Sequence, residues 1–262
     1  MSNSPIRLVN PLRNKMDSGK LAVGMIVRLV RGVEIVAIAR TAGFDCLFID
    51  TEHNDFSLAT VTQLCLAANM AGITPLVRVS GVNETEISHA FDCGAMGVIV
   101  PAIKTARDAR NAVAAARFPP AGNRSIMPCL PHLEFRPAPA IEAMRAVNEA
   151  TLVVAMIESI EAVDAVEEIA AVEGLDMLLV GGNDLANALK VPGELDHPDI
   201  RAAIERVATA CEANGIYLGI GGFGQRPELA KEMIALGARY ATAGADVTFL
   251  VNAAIANARK FS

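Results

Sequence analysis

The chain has 262 residues, 52% hydrophobic and 20% charged, a balance that buries a core without staples and excludes a disordered chain. Its formal net charge is −6, with no Trp, two Tyr and no basic cluster, which argues against a nucleic-acid partner. No run approaches the roughly 18 uncharged apolar residues of a membrane span, and residues 1–20 lack an apolar leader centre, so a cytoplasmic protein without membrane contact is expected.

Short apolar runs alternate with longer amphipathic ones along the chain. The predicted order is strand 21–27, helix 33–41, strand 46–50, helix 58–70, strand 75–79, helix 84–93, strand 97–100 and helix 106–116. It continues with strand 152–157, helix 162–171, strand 176–180, helix 198–213, strand 216–220, helix 227–235, strand 238–243 and helix 247–260. Strands apolar at nearly every position are parallel strands buried on both faces. Glycine punctuates six helix-to-strand junctions, at Gly43, Gly72, Gly94, Gly174, Gly215 and Gly237, where a left-handed residue ends a helix cheaply. Eight such units in this length predict an α/β fold, a single (β/α)8 TIM barrel over residues 1–262. A Pro-rich insertion at about 117–150, with a helix near 141–149, is expected to form a lid or an interface element. The five Cys (46, 65, 93, 129 and 211) include no C-x-x-C pair and are read as reduced, buried thiols.

In a barrel of this type, chemistry belongs at the C-terminal ends of the strands. Four predicted ends are polar: Asp50-Thr51-Glu52-His53, Arg78, Glu158, and Gly181-Gly182-Asn183-Asp184. Glu158 also suits a helix-starting carboxylate, and Asp184 an N-cap. Taken together, two carboxylates on neighbouring strand ends, without Cys or paired His, suit a hard divalent cation such as Mg²⁺ or Mn²⁺. Arg78, inside a strand, must be paired or must clamp a carboxylate or enolate oxygen. His53 lies in an acidic loop and is either solvated or an acid/base. His89, His132 and His197 are read as structural or exposed. Residues 219–224 match G-x-G-x-x-G with Asp246 downstream, but too little chain follows for a dinucleotide fold, so no NAD is expected. No Lys falls in a predicted strand, and only Lys104 lies near a strand end, which argues against a Schiff-base lysine and against PLP.

The motifs at 43–53 (GFDCLFIDTEH), 75–78 (PLVR), 92–95 (DCGA), 100–101 (VP), 117–122 (RFPPAG), 156–158 (MIE) and 180–185 (VGGNDL) occur in one order over nearly the whole chain. On these the sequence resembles the HpcH/HpaI aldolase family. These are metal-dependent class II pyruvate aldolases, with members acting on 4-hydroxy-2-oxoheptanedioate or 2-keto-3-deoxy sugar acids. The resemblance implies a barrel whose C-terminal helix is swapped between subunits of a homohexamer, a trimer of dimers. It implies Glu158 and Asp184 as ligands of Mg²⁺, Mn²⁺ or Co²⁺, and the Gly181, Gly182, Asn183 and Asp184 backbone as holder of the 2-oxo acid carboxylate. It also implies Arg78 on the keto oxygen, His53 as acid/base, Asp92 as its partner within the subunit or across an interface, and Asp50 binding metal-bound water. Gly182-Asn183 replaces a common Pro-Ala, Met156 stands where some members have Gln, and strand seven ends Gly-rich. These departures leave the aldehyde and the preferred oxo acid open.

The expected reaction is reversible cleavage of a 4-hydroxy-2-oxo acid to pyruvate, or a close analogue, plus an aldehyde. The 2-keto group takes up the electrons of the broken C–C bond as an enolate, steadied by the cation and Arg78. A related metal-enolate lyase or decarboxylase acting on an acyl-CoA thioester or an oxaloacetate-like acid would use the same groups. A barrel that only binds a metabolite is the remaining alternative.

Overall fold

The computed structural model describes residues 6–261. In chain order its elements are α1 (Pro11–Asp17), β1 (Ala22–Val27), α2 (Glu34–Thr41), β2 (Cys46–Asp50), α3 (Leu58–Ala71), β3 (Thr74–Arg78), α4 (Glu84–Asp92), β4 (Gly97–Val100) and α5 (Ala106–Ala116). There follow α6 (Ala140–Ala150), β5 (Leu152–Ile157), α7 (Ile160–Asp164), α8 (Val166–Ala170), β6 (Met177–Gly181), α9 (Gly182–Ala188), α10 (Pro198–Asn214), β7 (Tyr217–Gly221), α11 (Pro227–Ala235), β8 (Tyr240–Ala245) and α12 (Asp246–Ala258). The eight strands are parallel and close in sequence order, with β1 pairing β8, so the fold is the expected (β/α)8 TIM barrel. Side chains of β2 to β6 are buried throughout, which is why those strands read as unbroken apolar runs.

Three elements differ from the sequence reading. The helix expected at 162–171 is two short helices, α7 and α8, meeting at Ala165. The segment expected as a loop after β6 is the first turn of α9, continuous with the strand. The unexpected α1 is capped by Asn10, whose side chain accepts from the N–H groups of Leu12 and Arg13, with Pro11 in the first turn. Leu12 and Met16 plug the N-terminal mouth of the barrel against Cys46, Leu76, Leu152, Met177 and Tyr240. Each plugging side chain contributes about 1.5–3 kcal/mol by burial. A seven-residue helix with two apolar positions carries almost no periodic signal; only the mouth it fills makes it stable.

The insertion builds a satellite core from Phe118, Leu130, Leu133, Ala143 and Val147. It connects a helix end to a strand start, so it lies at the N-terminal side of the barrel. Arg117 pairs with Asp176 just before β6, and His132 Nε2 lies 2.9 Å from the Ala95 carbonyl just before β4. Cys129, within it, is exposed, contrary to the expectation for the thiols; the other four are buried. Among the described residues no helix is long and apolar enough to cross a membrane.

Candidate active site

Glu158 is the first residue beyond β5, where the strand delivers it to the C-terminal rim. Its Oε1 accepts from the N–H of Ala102 at 2.7 Å. Ala102 is held in the left-handed region at φ 55°, a cost of about 1–2 kcal/mol that the rim sustains to present that N–H. Gly181, at the end of β6, faces the same carboxylate: a Cβ there would stand 3.1 Å from Glu158 Oε2 and 3.3 Å from Met156 Cε. Glycine therefore lets Glu158 lie against the neighbouring strand. Gly182 is equally constrained, because a Cβ would meet the Phe223 ring at 2.9 Å.

Asp184 sits in the first turn of α9, exposed, its side chain without a hydrogen bond or ion pair among the described residues. Burial pushes the Glu158 carboxyl above its ordinary pKa. The Ala102 amide opposes this, the negative charges of Asp184 and then Glu52 reinforce it, and Arg78 opposes it. The two predicted metal carboxylates thus share one electrostatic neighbourhood, in which negative charge reinforces the rise more than Arg78 opposes it. An all-oxygen donor set with net negative charge fits a hard divalent cation. Among the described residues no three His, Cys, Asp or Glu are grouped to hold a metal, so any cation here completes its shell with water and substrate oxygens.

Arg78 ends β3 and is 4% exposed. Its Nε donates to Asp50 Oδ1 at 2.9 Å and its Nη2 to Oδ2 at 2.6 Å, a bidentate fork. The guanidinium carbon also lies 5.3 Å from the Phe48 ring centre. Nη1 remains at the rim, 2.9 Å from Glu52 Oε2 but without hydrogen-bond alignment. Asp50 is fully buried and also accepts from Arg28 Nε at 2.7 Å and from the N–H groups of Glu52 and His53. Burial opposes its ionisation, but the hydrogen bonds and charges of Arg78 and Arg28 outweigh burial and hold its carboxyl below the usual range. Asp50 therefore orients two arginines and the turn that carries His53.

His53 is exposed, with Nε2 3.7 Å from Glu52 Oε2. Asp92 is not its neighbour within the chain: it is the last residue of α4, at the opposite end of the barrel, paired with Arg124 at 2.7 Å. Arg124 is buried between the rings of Phe91 and Phe118. Lys104 is half-exposed beside Glu161, outside the acidic cluster.

Sequence reasoning passed over three residues. Arg28 is the first polar residue after the apolar run of β1, the same signal that singled out Glu158. Glu52 was seen only as part of an acidic loop. Asp246, weighed as a ribose ligand, instead accepts from the N–H groups of Arg28, Leu29, Val30 and Val247 at 2.8–3.0 Å, tying the β1 loop to α12.

The family model described as HpcH/HpaI aldolase/citrate lyase matches residues 31–253. A 4-hydroxy-4-methyl-2-oxoglutarate aldolase of Chaetomium globosum is 38% identical over 94% of this chain and 93% of its own length. One of the same name from Hapsidospora irregularis is 40% identical over 81% and 80%. A 4-hydroxy-2-oxo-heptane-1,7-dioate aldolase of Salmonella typhimurium is 32% identical over 96% and 94%. Among solved structures, the HpcH/HpaI aldolase of Desulfitobacterium hafniense superposes with a TM-score of 0.90 at 28% identity, covering 97% of this chain and 96% of that one. With the barrel, the rim carboxylates and these likenesses in agreement, the chain belongs to the HpcH/HpaI aldolase/citrate lyase family.

Proposed function

We propose that the chain is a divalent-metal-dependent aldolase that reversibly cleaves a 4-hydroxy-2-oxo acid to pyruvate, or a close analogue, plus a carbonyl compound. The names of the relatives support the reaction class. The observation that carries the reading is the unneutralised pair Glu158 and Asp184 on adjacent strand ends beside Arg78.

Glu158 and Asp184 would hold Mg²⁺, Mn²⁺ or Co²⁺, which when bound supplies Lewis acidity to the keto oxygen of the substrate. Arg78 offers Nη1 to the same oxygen, its fork anchored by Asp50 so that little reorganisation accompanies charge development. The amides of Gly182, Asn183 and Asp184 open α9 without intrahelical acceptors and suit the substrate carboxylate. His53 takes the C4 hydroxyl proton, directly or through water. The C3–C4 bond breaks, its electrons move into the enolate, C4 becomes a carbonyl, and protonation at C3 releases pyruvate. In the reverse direction His53 returns the proton.

Asp92 would serve His53 from a second copy of the chain, since within one chain the two lie at opposite ends of the barrel. A homo-oligomer with an exchanged C-terminal helix agrees with the apolar surface of α12, where Leu250, Val251 and Ile255 are about half exposed. A cytoplasmic location completes the reading.

The test is chelation. Exhaustive removal of divalent ions should abolish both aldol cleavage and proton exchange at the methyl group of pyruvate, and Mg²⁺ or Mn²⁺ should restore them. Glu158→Gln and Asp184→Asn should each cost roughly 1000-fold in kcat/KM. Full activity after chelation would overturn the mechanism.

A further inference from the structure

Glu52 stands on the turn between β2 and α3, between two groups that the proposed reaction uses. Its Oε2 lies 2.9 Å from Arg78 Nη1 and 3.7 Å from His53 Nε2. That oxygen is buried, yet it accepts no hydrogen bond among the described residues. Asn54 Nδ2, two residues on, is likewise buried without an acceptor. An unmet acceptor and an unmet donor on one turn are costly, and they mark side chains that a ligand can rearrange at little expense.

The backbone of this turn is not what yields. Asp50 Oδ1 accepts from the N–H groups of Glu52 and His53 at 3.2 and 3.4 Å. The Arg78 carbonyl accepts from the Thr51 N–H at 3.0 Å and from the Thr51 hydroxyl at 2.5 Å. Arg78 is equally fixed, with Nε and Nη2 forked onto Asp50 and a side chain 5% exposed. The Glu52 side chain is 23% exposed and lacks any such anchor. Of the ion pair Glu52 and Arg78, the carboxylate is the member able to rotate away.

Nη1 is also the donor that the aldolase reading assigns to the substrate keto oxygen. Glu52 Oε2 therefore holds, in the free enzyme, the place of an oxygen that becomes negative in the reaction. We propose that Glu52 is a positioning residue that caps Arg78 until substrate arrives, is displaced from Nη1 by the keto oxygen, and then stands against His53, where its charge steadies the imidazolium formed as His53 takes the C4 hydroxyl proton. This rests on the aldolase reading above. The two halves of the role have opposite effects. The cap competes with the 2-oxo acid for Nη1 and weakens its binding, whereas the displaced carboxylate favours the step in which positive charge develops on His53.

The experiment reads these effects separately in Glu52→Gln, loaded with Mg²⁺ like the parent. Pyruvate, titrated calorimetrically, should bind about tenfold tighter, since a neutral amide competes weakly for Nη1. Exchange of the pyruvate methyl protons should persist at the parental rate or faster. By contrast, kcat for cleavage of 4-hydroxy-2-oxoglutarate should fall roughly tenfold, with KM lowered rather than raised. Glu52→Asp, which keeps the charge, should recover part of the lost cleavage. A glutamate that only supported the turn would, once replaced, weaken pyruvate binding and depress both reactions together. Pyruvate binding unchanged or weaker in Glu52→Gln, cleavage and exchange altered by the same factor, or cleavage no better in Glu52→Asp than in Glu52→Gln would each overturn the assignment. If the metal-loaded parent does not exchange the methyl protons of pyruvate, the aldolase reading itself fails.

Discussion

The two ends of the barrel are built from the same groups and balance them differently. At the N-terminal mouth Asp45 and Asp176 are both paired with cations. Asp45 holds Lys15 Nζ at 2.7 and 2.8 Å and the N–H of Val23. Asp176 holds Arg13, Arg117 and the N–H of Val153. Helix α1 then seals that mouth with Leu12 and Met16. At the C-terminal rim Asp50 is satisfied in the same manner by Arg28 and Arg78, but among the described residues Glu158 and Asp184 form no ion pair. Matched charges hold strands together, whereas unmatched ones on a rigid frame store the attraction for a ligand.

A pair of identical substitutions at opposite ends of the barrel separates the two roles. Arg78→Lys should lower kcat/KM roughly 1000-fold, because an ammonium cannot both fork onto Asp50 and face the substrate. Arg117→Lys should leave kcat/KM almost unchanged but destabilise the fold by about 3 kcal/mol, measured by urea unfolding. If both variants lost activity alike, the division between a structural and a chemical end would not hold. His53→Ala should slow aldol cleavage about 100-fold while metal-dependent exchange at the pyruvate methyl group persists. Equal cleavage rates in variant and parent would remove His53 from proton transfer.

The smallest effect concerns the structural end alone. Burial lowers the His132 imidazole to about 4; the hydrogen bond with the Ala95 carbonyl opposes this, Arg124 adds to it, and Asp92 opposes it. With the folded value below the ordinary one near 6.5, the unfolded chain binds more protons in between. Stability therefore falls as pH drops from about 6.5 toward 4, by about 2 kcal/mol at pH 5 relative to neutral pH. His132→Phe should flatten the acid limb of a Tm-against-pH curve relative to the parent; an unchanged limb would show that the imidazole does not titrate there.

Much of the architecture was readable because barrel strands are apolar on both faces, a pattern that survives without tertiary context. The boundaries of β2, β4 and β5 coincide with their apolar runs, while β6, β7 and β8 run farther, through Gly181, Gly221 and Gly244, since extended glycines carry no hydropathy signal. Glu158, Asp184 and Arg78 stood out because each interrupts or ends such a run. Arg28 ends one too, yet its importance depends on Asp50, 22 residues away, and on Asp246, 218 residues away. Asp92 was carried over from a family pattern, and its place at the foot of α4 follows from the direction of the helix, not from residue type.

Residue order by itself determined the eightfold repeat and which strand ends are charged, because hydropathy period and glycine punctuation are local properties. Which of those charges are neutralised was decided only by tertiary structure. Ion pairs form between neighbouring strands whose side chains meet at angles that spacing does not encode, and two arginines separate the matched Asp50 from Glu158 and Asp184, which pair with no cation among the described residues.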